Sequence, residues 1–134
     1  MTILSINDPP KRVYLAAPYS CDSDSLRAYR ADMAGKVALG LILNGHIVFS
    51  PVSHGHQLAL CQHNYAMRTD FAFWQKHCFS FLLHWAEVLA VLRLRGWEES
   101  VGVTAEIAEA QRLGLPVVFF EMDDTGGWHE LYKP

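Results

Sequence analysis

A short segment in the C-terminal half of the chain contains the residue types of a carboxylate-based active site. It reads GWEESVGVTAE and runs from Gly96 to Glu106. Gly96 and Gly102 allow backbone conformations that other residues resist, and Ser100 and Gly102 are expected where a helix begins. The free N–H groups and partial positive charge of that helix end can hold a phosphate. Glu106 is expected in the first helical turn, where the positive end would keep its carboxylate ionised.

An ionised carboxylate beside a sugar can attack the anomeric carbon or stabilise an oxocarbenium ion. The structural alternative is that Glu106 only complements the helix dipole and that Ser100 only caps the helix. Spacing alone slightly favours this alternative, because short motifs also occur without function.

The segment VYLAAPYS, residues 13–20, offers a second set of polar groups. The small side chains of Ala16 and Ala17 would let a ligand approach the backbone. The hydroxyl of Tyr14 or Tyr19 could hydrogen-bond a carboxylate or a sugar hydroxyl. Either ring also fits an ordinary structural role, because half-buried tyrosines are common.

Histidines and aromatic residues fill the middle of the chain. His54 and His56 flank Gly55, but no histidine spacing fits a known zinc site, so structural or substrate-contact roles are favoured over a metal. The aromatic residues that follow are expected in the core or at a subunit contact rather than in a base-stacking site. These are Phe71, Phe73, Trp74, Phe79, Phe81 and Trp85.

The elements that must position these residues alternate between strands and helices. Predicted strands cover residues 12–17, 46–50, 87–92 and 116–121, and predicted helices cover residues 25–43, 70–85 and 104–113. Apolar strands between helices indicate a three-layer α/β sandwich with a mostly parallel, doubly wound sheet of four to five strands, flavodoxin- or Rossmann-like. Such sheets bind ligands beyond the carboxyl ends of their strands, which is where Tyr19, Ser53 and Gly96 are expected.

Composition limits the class of protein. The 134 residues suit a single domain with its core at about 12–121, and the net charge of −3 argues against nucleic-acid binding through a basic face. Three cysteines without close pairing favour reduced thiols and a cytoplasmic location. We expect no signal peptide and no membrane span.

Three segments together resemble the nucleoside 2-deoxyribosyltransferase-like superfamily: VYLAAPYS, HIVFSPVSHGH and GWEESVGVTAEIAEA. The likeness extends over about 13–120. It is strongest to a small bacterial and phage branch, and the chain is also similar to the deoxynucleoside 5′-monophosphate N-glycosidases. The resemblance implies a nucleoside or nucleotide as the small-molecule ligand, no cofactor, and a homo-oligomer, dimeric or tetrameric.

The resemblance also implies roles for single residues. Glu106 would be the nucleophile that forms a glycosyl ester at C1′, and Tyr14 would orient it or assist departure of the base. Ser100 matches the position that binds the 5′-phosphate in the monophosphate hydrolases, whereas transferases tend to have an aspartate there. The serine therefore favours a nucleotide substrate, with further phosphate or substrate contacts expected from Gly102, Ser20, Tyr19 and His54.

One position departs from the pattern of the superfamily. An aspartate usually precedes the third strand closely and helps to protonate the leaving base, and here the candidate is the more distant Asp70. Either an insertion has moved the acid to Asp70, or this protein lacks it.

The residue types and the resemblance together predict an enzyme that cleaves or exchanges an N-glycosidic bond. The alternative is a catalytically weak nucleotide-binding or sensing module of the same fold.

Overall fold

The computed structural model describes residues 2–61 and 71–131. The strands of this part are β1 (Arg12–Ala16), β2 (Ile47–Phe49), β3 (Val88–Leu92), β4 (Val117–Met122) and β5 (Trp128–Leu131). Its helices are α1 (Asp24–Leu43), α2 (Pro51–Leu60), α3 (Phe71–His84) and α4 (Val101–Leu113), and a 3₁₀ turn (Trp97–Glu99) precedes α4.

The strands form one sheet in the order β2-β1-β3-β4-β5. The pairs β1–β2, β1–β3 and β3–β4 are parallel, and only the pairing of β5 with β4 is antiparallel. This confirms the predicted mostly parallel, doubly wound sheet. Strand β2 lies on one side of β1, and β3 and β4 follow on the other side. The position between β1 and β3 is therefore the switch point where such folds bind ligands.

The sheet separates two apolar layers, because successive strand residues point to opposite faces. Val13 and Leu15 pack with α1, whereas Tyr14 and Ala16 pack with α3 and α4. Helices therefore cover both faces, and the predicted three layers are confirmed. No helix in the described part of the chain is long and apolar enough to cross a membrane.

Helix α1 begins one residue before its predicted start and is capped by Ser23, whose hydroxyl accepts from the Leu26 N–H at 3.1 Å. Helical spacing in the sequence predicts a buried stripe of Leu26, Tyr29, Met33, Val37 and Leu41, and this prediction is confirmed from Met33 onward. It is wrong at Leu26 and Tyr29, which are 39% and 52% exposed. The inward position of that part of the helix is occupied by Arg30.

Two elements were not predicted. For 52–69 the sequence predicts only a long excursion after the second strand, but this segment begins as helix α2, which starts at Pro51 and is capped by Ser50. After the fourth strand the sequence predicts only a tail, but part of it is strand β5, which forms a hairpin with β4 around Gly126, whose φ is +85°. A glycine accepts this left-handed conformation without the steric penalty of a side chain.

Strand β2 is shorter and less buried than predicted. It covers Ile47–Phe49 instead of 46–50, and Ile47 is 57% exposed. Because β2 is at one of the two edges of the sheet, it has a neighbouring strand on one side only in the described part of the chain.

Helix α4 begins three residues earlier than predicted. The hydroxyl of Ser100 accepts from the Val103 N–H at 3.2 Å and caps the helix. Gly102 therefore lies inside the first turn rather than in a loop, and Glu106 lies in the second turn rather than the first. The sequence pattern predicts Ile107, Ala108 and Leu113 on the buried side of this helix, but Ala108 is exposed.

Candidate active site

Tyr14 and Glu106 form a buried pair between β1 and α4. The Tyr14 hydroxyl donates a hydrogen bond to Oε2 of Glu106. Tyr14 is fully buried and Glu106 is 8% exposed. Tyr14 points towards α3 and α4 because it is on the even-numbered face of β1, and Glu106 points towards the sheet because it shares a helical face with Val103 and Ala110.

Burial controls the charge of Glu106. It raises the pKa of the Glu106 carboxyl to about 7, because a charged carboxylate is poorly solvated there, and the hydrogen bond from Tyr14 opposes the rise. The expectation that the helix start keeps Glu106 ionised was therefore wrong. The dipole effect falls off within the first helical turn, and Glu106 lies beyond that turn.

Two protonated groups adjoin this carboxyl. Burial raises the pKa of the Tyr14 hydroxyl, and the charge of Glu106 raises it further. Burial and then the Glu106 charge raise the pKa of the Cys78 thiol to about 11. Both groups therefore keep their protons near neutral pH, and Glu106 is the member of this group that titrates there.

The start of α4 carries the predicted anion-binding groups. The N–H groups of Val101 and Gly102 precede the first intrahelical hydrogen bond, which Thr104 donates to the Ser100 carbonyl. The Ser100 hydroxyl accepts from Val103, so its own hydrogen is available to a ligand. With a rise of 1.5 Å per residue, Ser100 and Glu106 are separated by about 9 Å along the helix.

Tyr19 and Ser20 are not brought into contact with Glu106. The Tyr19 ring packs against the apolar layer on the α1 side of the sheet, opposite to Tyr14. Its hydroxyl pairs with Nδ1 of His56 on α2 at 2.8 Å. Ser20 is exposed on the loop after β1.

His54 is connected to the buried pair through an aromatic side chain. Its ring centroid lies 5.7 Å from that of Phe49, and the Phe49 ring is 5.6 Å from Tyr14 in an edge-on arrangement. His54 also stacks on His77 of α3 at 5.5 Å. Phe81, predicted in the core or at a contact, stacks on Phe49 at 3.9 Å.

Asp70, the candidate acid, lies outside the described residues. The described residues contain no group of three or more histidine, cysteine or acidic side chains arranged for a metal ion.

Two surface grooves are present away from the buried pair. One, of about 500 Å³, lies between α1 and α2 and includes Lys36 and His56. The other, of about 610 Å³, lies along α3 and includes His77 and Phe81. Glu106, which is 8% exposed, lines neither of these two grooves.

Sequence reasoning missed Arg30 and understated Cys78. Arg30 lies four residues before Ala34 and seven before Val37, on the buried face of α1. A charged residue on an apolar helical stripe was the available signal. Cys78 was considered only as one of three cysteines expected to be reduced, and its interaction with the Tyr14–Glu106 pair depends on how α3 packs on the sheet.

The strand order and the helices on both faces define a deoxyribosyltransferase-like α/β fold. The chain is similar to the solved structure of a 2-deoxyribosyltransferase from the psychrotolerant bacterium Bacillus psychrosaccharolyticus, with 24% sequence identity and a TM-score of 0.50. The match covers 82% of this chain and 72% of that one. That enzyme is described as a suitable biocatalyst for the synthesis of antiviral and antitumoral nucleosides.

Over residues 11–122 the chain matches the family described as a domain of unknown function, DUF1937, and it belongs to that family. No curated protein sequence matches the chain significantly.

Proposed function

We propose that this protein cleaves the N-glycosidic bond of a nucleoside 5′-monophosphate, or exchanges its base, with Glu106 as the nucleophile. The observation that carries the proposal is the buried hydrogen bond between Tyr14 and Glu106 at the switch point of the sheet. The likeness of the fold to a 2-deoxyribosyltransferase supports the same class of chemistry. The resemblance of the sequence segments to the monophosphate N-glycosidases favours hydrolysis of a nucleotide.

The first step is attack by the ionised Glu106 carboxylate on C1′ of the sugar. A C–O bond forms, the bond from C1′ to the base nitrogen breaks, and its electron pair leaves with the base. The departing base requires a proton, which we assign to Asp70. Water then attacks C1′, the ester C–O bond breaks with its electron pair returning to the Glu106 carboxylate, and the now ionised Asp70 takes a proton from the water, which completes hydrolysis. In transfer, the nitrogen of a second base attacks C1′ instead and gives its proton to Asp70.

Tyr14 holds Glu106 in position for this attack. Its hydroxyl donates to Oε2, which leaves Oε1 free to reach the sugar. The hydrogen bond also favours the ionised form of Glu106 and so opposes the effect of burial on its pKa. Without it, a smaller fraction of the enzyme would have a nucleophilic carboxylate at neutral pH.

The start of α4 would receive the 5′-phosphate. The donors there are the N–H groups of Val101 and Gly102 and the hydroxyl of Ser100. Together with the partial positive charge of the helix start, they would bind the phosphate. Ser20 would add a contact from the loop after β1, and His54 would contact the base or ribose.

The test is release of free base. The four deoxynucleoside 5′-monophosphates and the four deoxynucleosides are incubated with the protein, with and without an acceptor base, and the products are separated by chromatography. We expect base release from at least one monophosphate, and its loss in Glu106→Gln. A glycosyl adduct on the peptide that contains Glu106, detected by mass spectrometry, would identify the nucleophile.

Glu109→Gln is the matched control, because Glu109 is a carboxylate on the same helix that pairs with Arg112 at 2.5 Å. It should retain activity. Base release that survives in Glu106→Gln, or is lost equally in Glu109→Gln, would contradict the assignment of Glu106.

The rival function is nucleotide binding without turnover. The raised pKa of Glu106 favours it, because a carboxyl with a pKa of about 7 is only partly ionised at neutral pH. This function predicts that monophosphates bind to the protein, that no base appears at any pH from 6 to 9, and that Glu106→Ala does not change the binding.

A further inference from the structure

Arg30 is a buried cation between two loops at the ligand-binding edge of the sheet. Its side chain is on α1 and is 9% exposed. Nη1 donates to the Tyr19 carbonyl oxygen at 3.3 Å, and Nη2 donates to the Arg95 carbonyl oxygen at 3.1 Å. Tyr19 follows β1 and Arg95 follows β3, so the guanidinium connects the loops on the two sides of the switch point.

The charge of Arg30 has no counter-charge among the described residues. None of their carboxylates forms an ion pair with it, and its Nε is buried without a hydrogen-bond partner. Arg93, directly after β3, also has a buried Nε without a hydrogen-bond partner, but it has a counter-charge, because it pairs with Glu121 at 3.6 Å, and it lies over the Trp97 ring. A buried, unpaired charge is destabilising, and an anionic ligand would remove that penalty.

Two N–H bonds of the Arg30 guanidinium are not used by the loop carbonyls. A guanidinium has five N–H bonds. Two are directed to the loop carbonyls and the Nε–H is enclosed, so one N–H remains on each of Nη1 and Nη2. Arginine binds phosphate through two such donors more strongly than a single point charge does.

The loop beyond β3 is shaped around this guanidinium. Gly96 has a φ of +92°, and a Cβ atom on it would lie 2.8 Å from Nη2 of Arg30. Only glycine permits both the conformation and the close approach. The same loop continues to Ser100 and the start of α4, where the anion-binding groups are.

We infer that Arg30 binds the 5′-phosphate of the substrate and selects nucleoside monophosphates over nucleosides. The identity of the ligand as a nucleotide rests on the proposed function. The assignment of its phosphate to Arg30 rests on the geometry around the guanidinium. It adds a residue from α1 to a site otherwise built from β1 and α4.

The experiment measures binding by calorimetry at fixed ionic strength, in a Glu106→Gln background that prevents turnover. The ligands are deoxynucleosides, their 5′-monophosphates and inorganic phosphate. In Arg30→Met we expect monophosphate affinity to fall by about 10- to 100-fold and nucleoside affinity to remain unchanged. The monophosphate affinity of Arg30→Lys should lie between that of Arg30→Met and that of the protein with Arg30, because lysine keeps the charge and loses the two-donor geometry.

Lys36→Met is the control for loss of a positive charge from α1, because Lys36 is exposed and pairs with Asp32 at 3.3 Å. It should change neither affinity. Equal loss of monophosphate and nucleoside binding in Arg30→Met would show a purely structural role and overturn the inference. The inference would also be overturned if the protein with Arg30 in place bound monophosphates no more tightly than nucleosides. If Arg30→Met does not fold, Arg30→Lys is used instead. Its ratio of monophosphate affinity to nucleoside affinity is compared with that of the protein that keeps Arg30, and an unchanged ratio overturns the inference.

Base release separates this inference from the proposed catalysis. Monophosphate binding that depends on Arg30, without any base release, would keep the role of Arg30 and refute the catalytic proposal. Base release from monophosphates that is unaffected by Arg30→Met would refute only the role of Arg30.

Discussion

The hydroxyl of Tyr14 donates to the carboxyl of Glu106 across 92 positions of sequence, inside the layer between the sheet and α4. The two residues meet because β1 is adjacent to β3 and α4 follows β3. The first two predictions test this hydrogen bond and the burial of Glu106, and the next two test the packing of glycines.

Tyr14→Phe should raise the pKa of Glu106 further above about 7, because the hydrogen bond from Tyr14 lowers it and burial remains. A net hydrogen-bond contribution of about 1 kcal/mol corresponds to slightly less than one pH unit. The measurement is a pH titration of the carboxyl carbon in glutamate-labelled protein by NMR. Tyr19→Phe, which removes a hydroxyl paired with His56, should leave the titration unchanged. A lower pKa in Tyr14→Phe would contradict the arrangement.

Glu106→Gln should stabilise the protein more at pH 8 than at pH 4. Below the ordinary value of 4.5 the carboxyl is protonated in both the folded and unfolded states. Between 4.5 and about 7 the unfolded chain releases the proton while the folded protein keeps it, so the wild type loses stability as pH rises. The difference in free energy of unfolding between variant and wild type should grow by about 3 kcal/mol over that range.

Urea unfolding at a series of pH values measures this difference. Glu109→Gln serves as the comparison, because the hydrogen bond from Arg112 lowers the pKa of Glu109. The difference in free energy of unfolding between Glu109→Gln and the wild type should therefore change with pH in the opposite direction. A difference for Glu106→Gln that stays constant with pH would show that Glu106 is not buried as described.

Gly96→Ala should destabilise the protein by about 1–2 kcal/mol, because an L residue is strained at a φ of +92° and its Cβ would meet Arg30. Gly55→Ala is the matched comparison. Gly55 lies in α2 with no atom within 4 Å of an added Cβ, so alanine there should stabilise by about 0.5–1 kcal/mol. Denaturant midpoints measure both changes, and equal effects would contradict the described loop.

Gly40→Ala should destabilise the protein by about 1–3 kcal/mol, because its Cβ would lie 2.3 Å from Cζ2 of Trp128 in the unpredicted strand β5. Gly35, on the same helix, has its nearest neighbouring atom at an ordinary 3.6 Å from an added Cβ. Gly35→Ala should therefore be neutral or stabilising. If Gly40→Ala behaves like Gly35→Ala in thermal unfolding, β5 does not pack on α1.

The sequence by itself determined the alternation of strands and helices and the class of the sheet. Apolar runs such as Val88–Leu92 and the stop at Gly114 are local signals, because a buried strand needs apolar side chains on both faces and a helix end accepts glycine at positive φ. Tyr14 and Glu106 could be selected from their residue types and from the resemblance.

Tertiary structure alone decided the environment of those residues. The pKa of Glu106 depends on burial by α3, α4 and the sheet, which one helix in isolation does not provide, so the expected help of the helix start in keeping the carboxylate ionised does not prevail. Edge strand β2 and hairpin strand β5 depend on which strands lie next to them. The position of Arg30 between two loops likewise exists only when β1 and β3 are neighbours, because hydrogen bonds to Tyr19 and Arg95 join parts of the chain far apart in sequence.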